Sequence, residues 1–343
     1  MPASPTVQSR PPAASIRSTL SDLPAVAERT DSLALVDALR SDTAASDRAR
    51  NDRAGTSRRI PKNLRRSLLA RSRLPLARAA LADCRLCAHQ CGANRLAGER
   101  GPCRAGSESR VFMAQVEVSD ELELVPTFAI ALSGCDLRCA FCITGAESWT
   151  PRAGERLDPA LIAHRAEAAL QNGARTVMIL GGEPTIHLPS VLEIVAALPD
   201  DARLVWKTNA HGSAEAHALL DGLFDVWVAD YKFGNDACAE RLARAAGYTR
   251  VVQENLLWVG HRSAGPSELI VRHLLMPGHL DCCWRPVAEW LTASLPGVKV
   301  NLRSGFWPAW QAARHSELRE TVPAPERAAA FALGAKLGLH LVP

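Results

Sequence analysis

Six times between residues 128 and 302, a short β-branched or apolar run is followed by a stretch of helical period. The runs are FAIAL (128–132), TVMIL (176–180), RLVWK (203–207), DVWVA (225–229), LIVRHLLM (269–276) and VKVNL (298–302). The helical stretches fall near 158–173, 189–197, 214–221, 236–245, 285–294 and 325–337, the first opening on Asp158-Pro159 and closing on Asn172-Gly173. Strand then helix, repeated, builds an α/β fold with a parallel sheet, either an open doubly wound sheet or a barrel. In both, chemistry gathers at the carboxyl ends of the strands. Polar or glycine-rich loops follow five of the runs: the cysteine loop after 132, GGEPT (181–185), TNAHG (208–212), DYK (230–232) and PGH (277–279). Five such loops on one rim form a pocket, and a pocket of this kind belongs to an enzyme.

The first loop, GCDLRCAFCITG (134–145), sets Cys135, Cys139 and Cys142 at four- and three-residue steps. Disulfides use cysteines in pairs, and a structural zinc takes four ligands. Three thiolates from one loop can instead hold three irons of a 4Fe-4S cube and leave the fourth open to a substrate or cofactor. The chain has no apolar h-region behind a basic start and no run of about 18 apolar residues, which places it in the cytoplasm and away from the membrane. Clustered thiols in a reducing compartment are metal ligands. A net charge of +4 over 343 residues is near neutral and does not suggest a nucleic-acid partner. In GGEP (181–184), two glycines let backbone approach a ligand, and Glu183 with the loop carbonyls accepts hydrogen bonds from an ammonium group; the same letters also read as a plain strand-to-helix turn.

The cysteine loop after a strand, with GGEP about forty residues on, resembles the radical S-adenosylmethionine superfamily. CRLCAHQCGANRLAGERGPCRAG (84–106), GCDLRCAFC, GGEPTIHLP, LLDGLFDVWVADYKFGND, VRHLLMPGH and VNLRS together resemble the putative pyruvate formate-lyase activating enzyme family over residues 68–342. The resemblance implies a partial (β/α)6 barrel with an N-terminal cysteine-rich metal-binding extension. It implies a 4Fe-4S cluster on Cys135, Cys139 and Cys142 that reductively cleaves S-adenosylmethionine to a 5'-deoxyadenosyl radical. That radical would abstract hydrogen from a glycine of a protein partner, with an electron donor of flavodoxin or ferredoxin type. By the same resemblance, Gly181, Gly182 and Glu183 hold the methionyl amino group, Lys232 and Arg272 face its carboxylate, Asp230 fixes the cofactor and Asn209 lies near it. Plainer readings are a structural ion pair between Arg272 and Asp230, a solvated Lys232, and structural roles for His273 and His279. Two stretches depart from the family pattern: Ile143-Thr144 stand where Gln-Asn is common, and Gly305-Phe306-Trp307 replace polar and Tyr residues. These departures favour a second reading, a radical enzyme acting on a small molecule or peptide; a third is a binding protein with a structural Fe-S or zinc site.

Cys84, Cys87, Cys91 and Cys103 form a second group, C-x2-C-x3-C-x11-C, whose four thiolates suit zinc or an auxiliary Fe-S cluster equally. His89 reads as a surface residue or a substitute ligand. Cys238, Cys282 and Cys283 read as small apolar side chains. Residues 1–60, rich in Ser, Ala, Pro, Arg and Asp, read as a disordered tail with a short helix near 31–40. Residues 61–126 read as a basic helix and the cysteine-rich region, and 127–343 as the radical core. The basic stretch 58–73 suits docking to an acidic partner or a solvated helix face and linker.

Overall fold

Strand formation here follows the apolar runs, and the order of the strands decides the architecture. In a computed structural model, residues 65–118, 121–262 and 269–343 are described; the expected tail and its helix near 31–40 lie outside them. The strands are β1 (Arg110–Glu117), β2 (Thr127–Leu132), β3 (Glu155–Arg156), β4 (Thr176–Gly181), β5 (Leu204–Thr208), β6 (Val226–Asp230), β7 (Leu269–Leu274), β8 (Lys299–Arg303) and β9 (His340–Leu341). They form one sheet in the order β3-β1-β2-β4-β5-β6-β7-β8-β9. From β2 to β9 every neighbouring pair is parallel, and β1 pairs antiparallel with β2 and β3. A doubly wound sheet reverses its strand order partway. Here the six expected strands follow one another without reversal, so the fold is the partial (β/α)6 barrel.

Besides a single helical turn at Ala146–Trp149, the helices are α1 (Arg66–Ala79), α2 (Pro159–Gln171), α3 (Leu188–Ala197), α4 (Ala214–Leu220), α5 (Asp236–Ala243), α6 (Tyr248–Arg262), α7 (Arg285–Ser294) and α8 (Ala324–Lys336). Local chemistry starts them: Asp158 caps α2 by accepting from the amides of Ala160 (3.0 Å) and Leu161 (3.1 Å), and Ser213 and Asn235 cap α4 and α5. Alternate strand residues such as Val177, Ile179, Trp206, Trp227 and Val271 pack with the helices in one buried cluster. Met178, Val205, Val226, Val228 and Ile270 point to the other face, where Leu124 and Val342 cover them. Further along that second face the pattern turns charged, at Lys207, Asp230 and Arg272, near the carboxyl ends of β5, β6 and β7.

Four of these elements were not expected from the sequence: helix α6, and strands β1, β3 and β9. The basic residues of α1 serve the fold. Arg66 pairs with Asp225 at 2.7 Å, Arg78 pairs with Glu193, and Arg73 donates to the carbonyl of Leu219 at 3.1 Å.

The turn out of β4 brings the backbone of two loops together. Gly181 has φ +141°, and a Cβ there would lie 2.2 Å from the carbonyl oxygen of Leu132. A Cβ on Gly182 would lie 2.0 Å from the carbonyl oxygen of Gly134 and 3.2 Å from the Cβ of Cys135. Both glycines therefore serve the contact between GGEP and the cysteine loop. Gly181→Ala should cost about 3 kcal/mol of folding stability, measured by urea denaturation; an unchanged midpoint would refute this close packing.

Candidate active site

The cysteine loop leaves the end of β2 through Ser133 and Gly134 and is pinned from several sides. The amides of Arg138 and Ala140 donate to the carbonyls of Ala243 (2.9 Å) and Leu242 (2.8 Å), at the end of α5. Arg138 also donates to the carbonyls of Cys135 (2.6 Å) and Pro102 (2.6 Å). Gly182 and Glu183 donate their amides to the carbonyls of Leu132 (2.8 Å) and Gly134 (2.9 Å), which ties in the GGEP loop. Cys135 and Cys139 are buried and Cys142 is half-buried. Burial pushes the Cys139 thiol up to about 12, against the pull of Lys232. Cys135 is raised as well, by burial and then by the Asp136 charge. Thiols held in this way ionise when a cation is bound. Donors already point at the sulfurs: Asn209 Nδ2 lies 3.6 Å from Cys135 Sγ, and Thr144 Oγ1 lies 3.3 Å from Cys142 Sγ. Three sulfurs from one loop, with the Asn209 N–H beside one and the Thr144 hydroxyl beside another, fit an iron-sulfur cluster with three protein ligands.

Glu183 sits between two loops with 1% of its surface exposed. Its Oε1 accepts from the Thr185 amide (3.0 Å), the Thr185 hydroxyl (2.5 Å) and the Thr208 hydroxyl (2.8 Å), and its Oε2 from the Asn209 amide (2.7 Å). Burial, and then the Asp136 charge, push its carboxyl up to about 7 while these donors pull the other way. The carboxylate thus cross-links the GGEP and TNAHG loops. Asn209 in turn donates from Nδ2 to Asp136 Oδ1 at 2.7 Å.

The rim beyond β6 and β7 is a chain of alternating charge. Asp230 and Arg272 are register partners on adjacent strands, with Arg272 Nε 3.8 Å from Asp230 Oδ1. Lys232 Nζ donates to Asp230 Oδ2 at 2.5 Å. Arg272 Nε lies 3.1 Å from Glu121 Oε1, and Lys207 Nζ lies 3.2 Å from Glu121 Oε2. Burial opposes ionisation of Asp230, but Lys232 and Arg272 outweigh it and hold its carboxyl below the usual range. Lys207, Lys232 and Arg272 thus gather three cationic side chains at this rim, a setting that suits a carboxylate ligand.

Several site residues carry no motif of their own. Asp136, wholly buried, accepts from His211 Nδ1 at 2.8 Å, and His89 Nε2 reaches its carbonyl at 3.0 Å. Burial raises the Asp136 carboxyl, but His211 and Asn209 prevail and keep it low. His89 is therefore packed on the cysteine loop rather than free at the surface. Glu121 and Lys207 are visible only once the strands are in register. His273 is buried against Trp284, ring centroids 5.1 Å apart, with Nδ1 2.7 Å from the carbonyl of Tyr231.

The N-terminal cysteine segment packs on the same loops. Ala88 donates its amide to the His211 carbonyl (2.9 Å), and Ser213 donates to that of Leu86 (3.1 Å). Cys84, Cys87 and Cys103 are buried and Cys91 is exposed. Among the described residues, the groups whose ligand atoms all lie within 4.8 Å of one another do not include this quartet. They do include Cys238, His279, Cys282 and Cys283. Adjacent strands β6 and β7 deliver these three cysteines to one place, beside His279.

His187, fully buried under the cysteine loop, ties it to β1. Its Nε2 donates to the Ser133 carbonyl at 2.7 Å, and its Nδ1 accepts from the Ser109 hydroxyl at 2.9 Å. Burial, and then Arg95, lower it to about 3. The unfolded chain takes up this proton below pH ~6.5 and the folded chain does not, so stability falls as pH drops from there toward 3. Urea denaturation should show a loss of about 2 kcal/mol from this residue between pH 7.5 and 5. His187→Asn should flatten that part of the profile; identical slopes would refute the assignment.

Residues 130–291 match the model of the Radical SAM superfamily. The chain is 29% identical over 284 residues to the uncharacterized protein MJ0674 of Methanocaldococcus jannaschii, covering 79% of each chain. It is also 29% identical over 245 residues to a tRNA-2-methylthio-N(6)-dimethylallyladenosine synthase of an Anaeromyxobacter species, covering 62% of this chain and 51% of that one. Among solved structures it is similar to Streptococcus suis SuiB bound to precursor peptide SuiA, with TM-score 0.46, 12% identity and coverage of 60% of this chain and 46% of that one. SuiB bound to S-adenosylmethionine gives TM-score 0.44 and 15% identity, over 61% of this chain and 47% of that one. No helix among the described residues is long and apolar enough to cross a membrane. The matched stretch, residues 130–291, holds the cysteine trio and the loops that converge on it.

Proposed function

We propose that this chain reductively cleaves S-adenosylmethionine and uses the resulting radical to take hydrogen from a glycine of a polypeptide partner. The observation that carries the reading is the placing of Cys135, Cys139 and Cys142 beside the cationic rim of Lys207, Lys232 and Arg272, at the carboxyl ends of the parallel strands. A 4Fe-4S cluster held by Cys135, Cys139 and Cys142 would supply the reductive cleavage of S-adenosylmethionine, drawing one electron from a flavodoxin- or ferredoxin-type donor. The chain's own residues bind and orient. Lys232 and Arg272 attract the methionyl carboxylate, Asp230 holds Lys232 in position, and Asn209 faces Cys135. Loop carbonyls of the GGEP turn accept from the amino group, since the Glu183 carboxylate is engaged by Thr185, Thr208 and Asn209.

A polypeptide acceptor is supported by the surface beside the cysteine loop. The two departures from the family pattern meet there. Phe306 packs on Phe141 (6.2 Å between rings), and Gln311 donates its amide to the Ala140 carbonyl at 2.8 Å. Ile143 is 80% exposed and Trp307 is 68% exposed on these joined segments. Apolar side chains left in water next to a reactive centre suit the docking of a protein loop. The methylthio synthase relative, named for a tRNA product, lends a glycine acceptor no support, and the second reading is a radical enzyme acting on a small molecule or peptide.

Anaerobic protein with dithionite and S-adenosylmethionine should release 5'-deoxyadenosine, and Cys139→Ala should abolish this; retained cleavage would overturn the radical reading. A protein fraction labelled with α-deuterated glycine should pass deuterium into the 5'-deoxyadenosine. Deuterium arising only from the small-molecule filtrate would transfer the reaction to the second reading.

A further inference from the structure

A second group of thiols lies at the same edge of the sheet but outside the site described above. Cys238 stands in the first turn of α5, after β6; His279, Cys282 and Cys283 follow β7. Residues Leu280–Trp284 form a widened π turn, in which the amides of both Cys283 (3.0 Å) and Trp284 (3.1 Å) donate to the His279 carbonyl. Such widened turns are uncommon and recur at functional sites. This one turns two successive cysteines toward the same imidazole. His279 Nδ1 lies 3.3 Å from Cys282 Sγ, 3.4 Å from Cys283 Sγ and 3.7 Å from Cys238 Sγ. Cys282 Sγ lies 4.0 Å from Cys238 Sγ and 3.9 Å from Cys283 Sγ, and all four atoms fall within 4.8 Å of one another.

These separations match a tetrahedron around one ion. With zinc about 2.3 Å from sulfur and about 2.0 Å from nitrogen, tetrahedral angles put sulfurs about 3.8 Å apart and nitrogen about 3.5 Å from each sulfur. A disulfide would join two of the sulfurs and leave the third and the imidazole without purpose. A cubic cluster would spread its ligands over separate irons. Asn235 Nδ2, 3.8 Å from Cys283 Sγ, supplies an N–H of the sort that surrounds metal-bound thiolates. His279 and Cys283 are buried, and Cys282 closes the group from the solvent side.

We infer that Cys238 Sγ, His279 Nδ1, Cys282 Sγ and Cys283 Sγ bind one structural zinc ion. Three thiolates and one imidazole close the coordination sphere, which leaves no position for substrate. Binding displaces the three thiol protons to solvent. The ion joins α5 to the connection between β7 and α7. The far end of α5 offers the Leu242 and Ala243 carbonyls to the cysteine loop, so the zinc braces the helix that steadies the trio.

The test uses the full chain with its iron-sulfur cluster reconstituted. Metal analysis should find one zinc per chain, and zinc-edge X-ray absorption should give three sulfurs at about 2.3 Å and one nitrogen at about 2.0 Å. Cys282→Ser, an exposed change that the fold should tolerate, should lose at least tenfold of its zinc on dialysis against EDTA while keeping its iron. A zinc-free chain, a four-sulfur shell pointing to Cys84, Cys87, Cys91 and Cys103, or full retention of zinc in Cys282→Ser would overturn the assignment. None of these readouts depends on cleavage of S-adenosylmethionine, so either conclusion can fail without the other.

Discussion

The buried carboxylate of Glu183 sets the spacing of the loops on which the site is built. Its four donors come from Thr185 on its own loop and from Thr208 and Asn209 after the next strand. Its own amide reaches back to Gly134 at 2.9 Å, so three successive strand ends are tied together through one residue. An anion buried this deeply is tolerable only while its donors stay in place. Those same donors carry the order outward. Asn209, fixed through its backbone, directs its side chain to Asp136 and Cys135, and Asp136 passes the constraint to His211. Electrostatics and packing reinforce each other here, because Gly181 and Gly182 bring the loop so close that a methyl group would clash with main chain.

Much of this arrangement is legible in the sequence, for reasons that differ from element to element. The six parallel strands declare themselves because both faces are buried and each reads as an apolar run. Helix α2 is marked by Asp158, Pro159 and Gly173. Helix α6 is not: Val252, Leu256 and Val259 give it a buried stripe, but no capping side chain precedes Tyr248 to announce its start. Strands β3 and β9 have two residues each, too few to carry a period. At the site, the cysteine trio is readable because its spacing lies within one loop. Glu121 and Lys207 are not, since their pairing across 86 residues appears only when the loop before β2 crosses the sheet. The same holds for Cys238 and His279, separated along the chain yet following neighbouring strands.

The way the sheet ends bears on what can reach the rim. A closed eight-stranded barrel stacks side chains through its whole interior and admits ligands only from the top. This sheet instead stops at β3 on one side and β9 on the other, and its seven parallel strands span an arc. β3 pairs with Arg110 and Val111 of β1 alone, and β9 with Lys299 and Val300 of β8 alone. The sheet therefore keeps two free edges where a closed barrel has none.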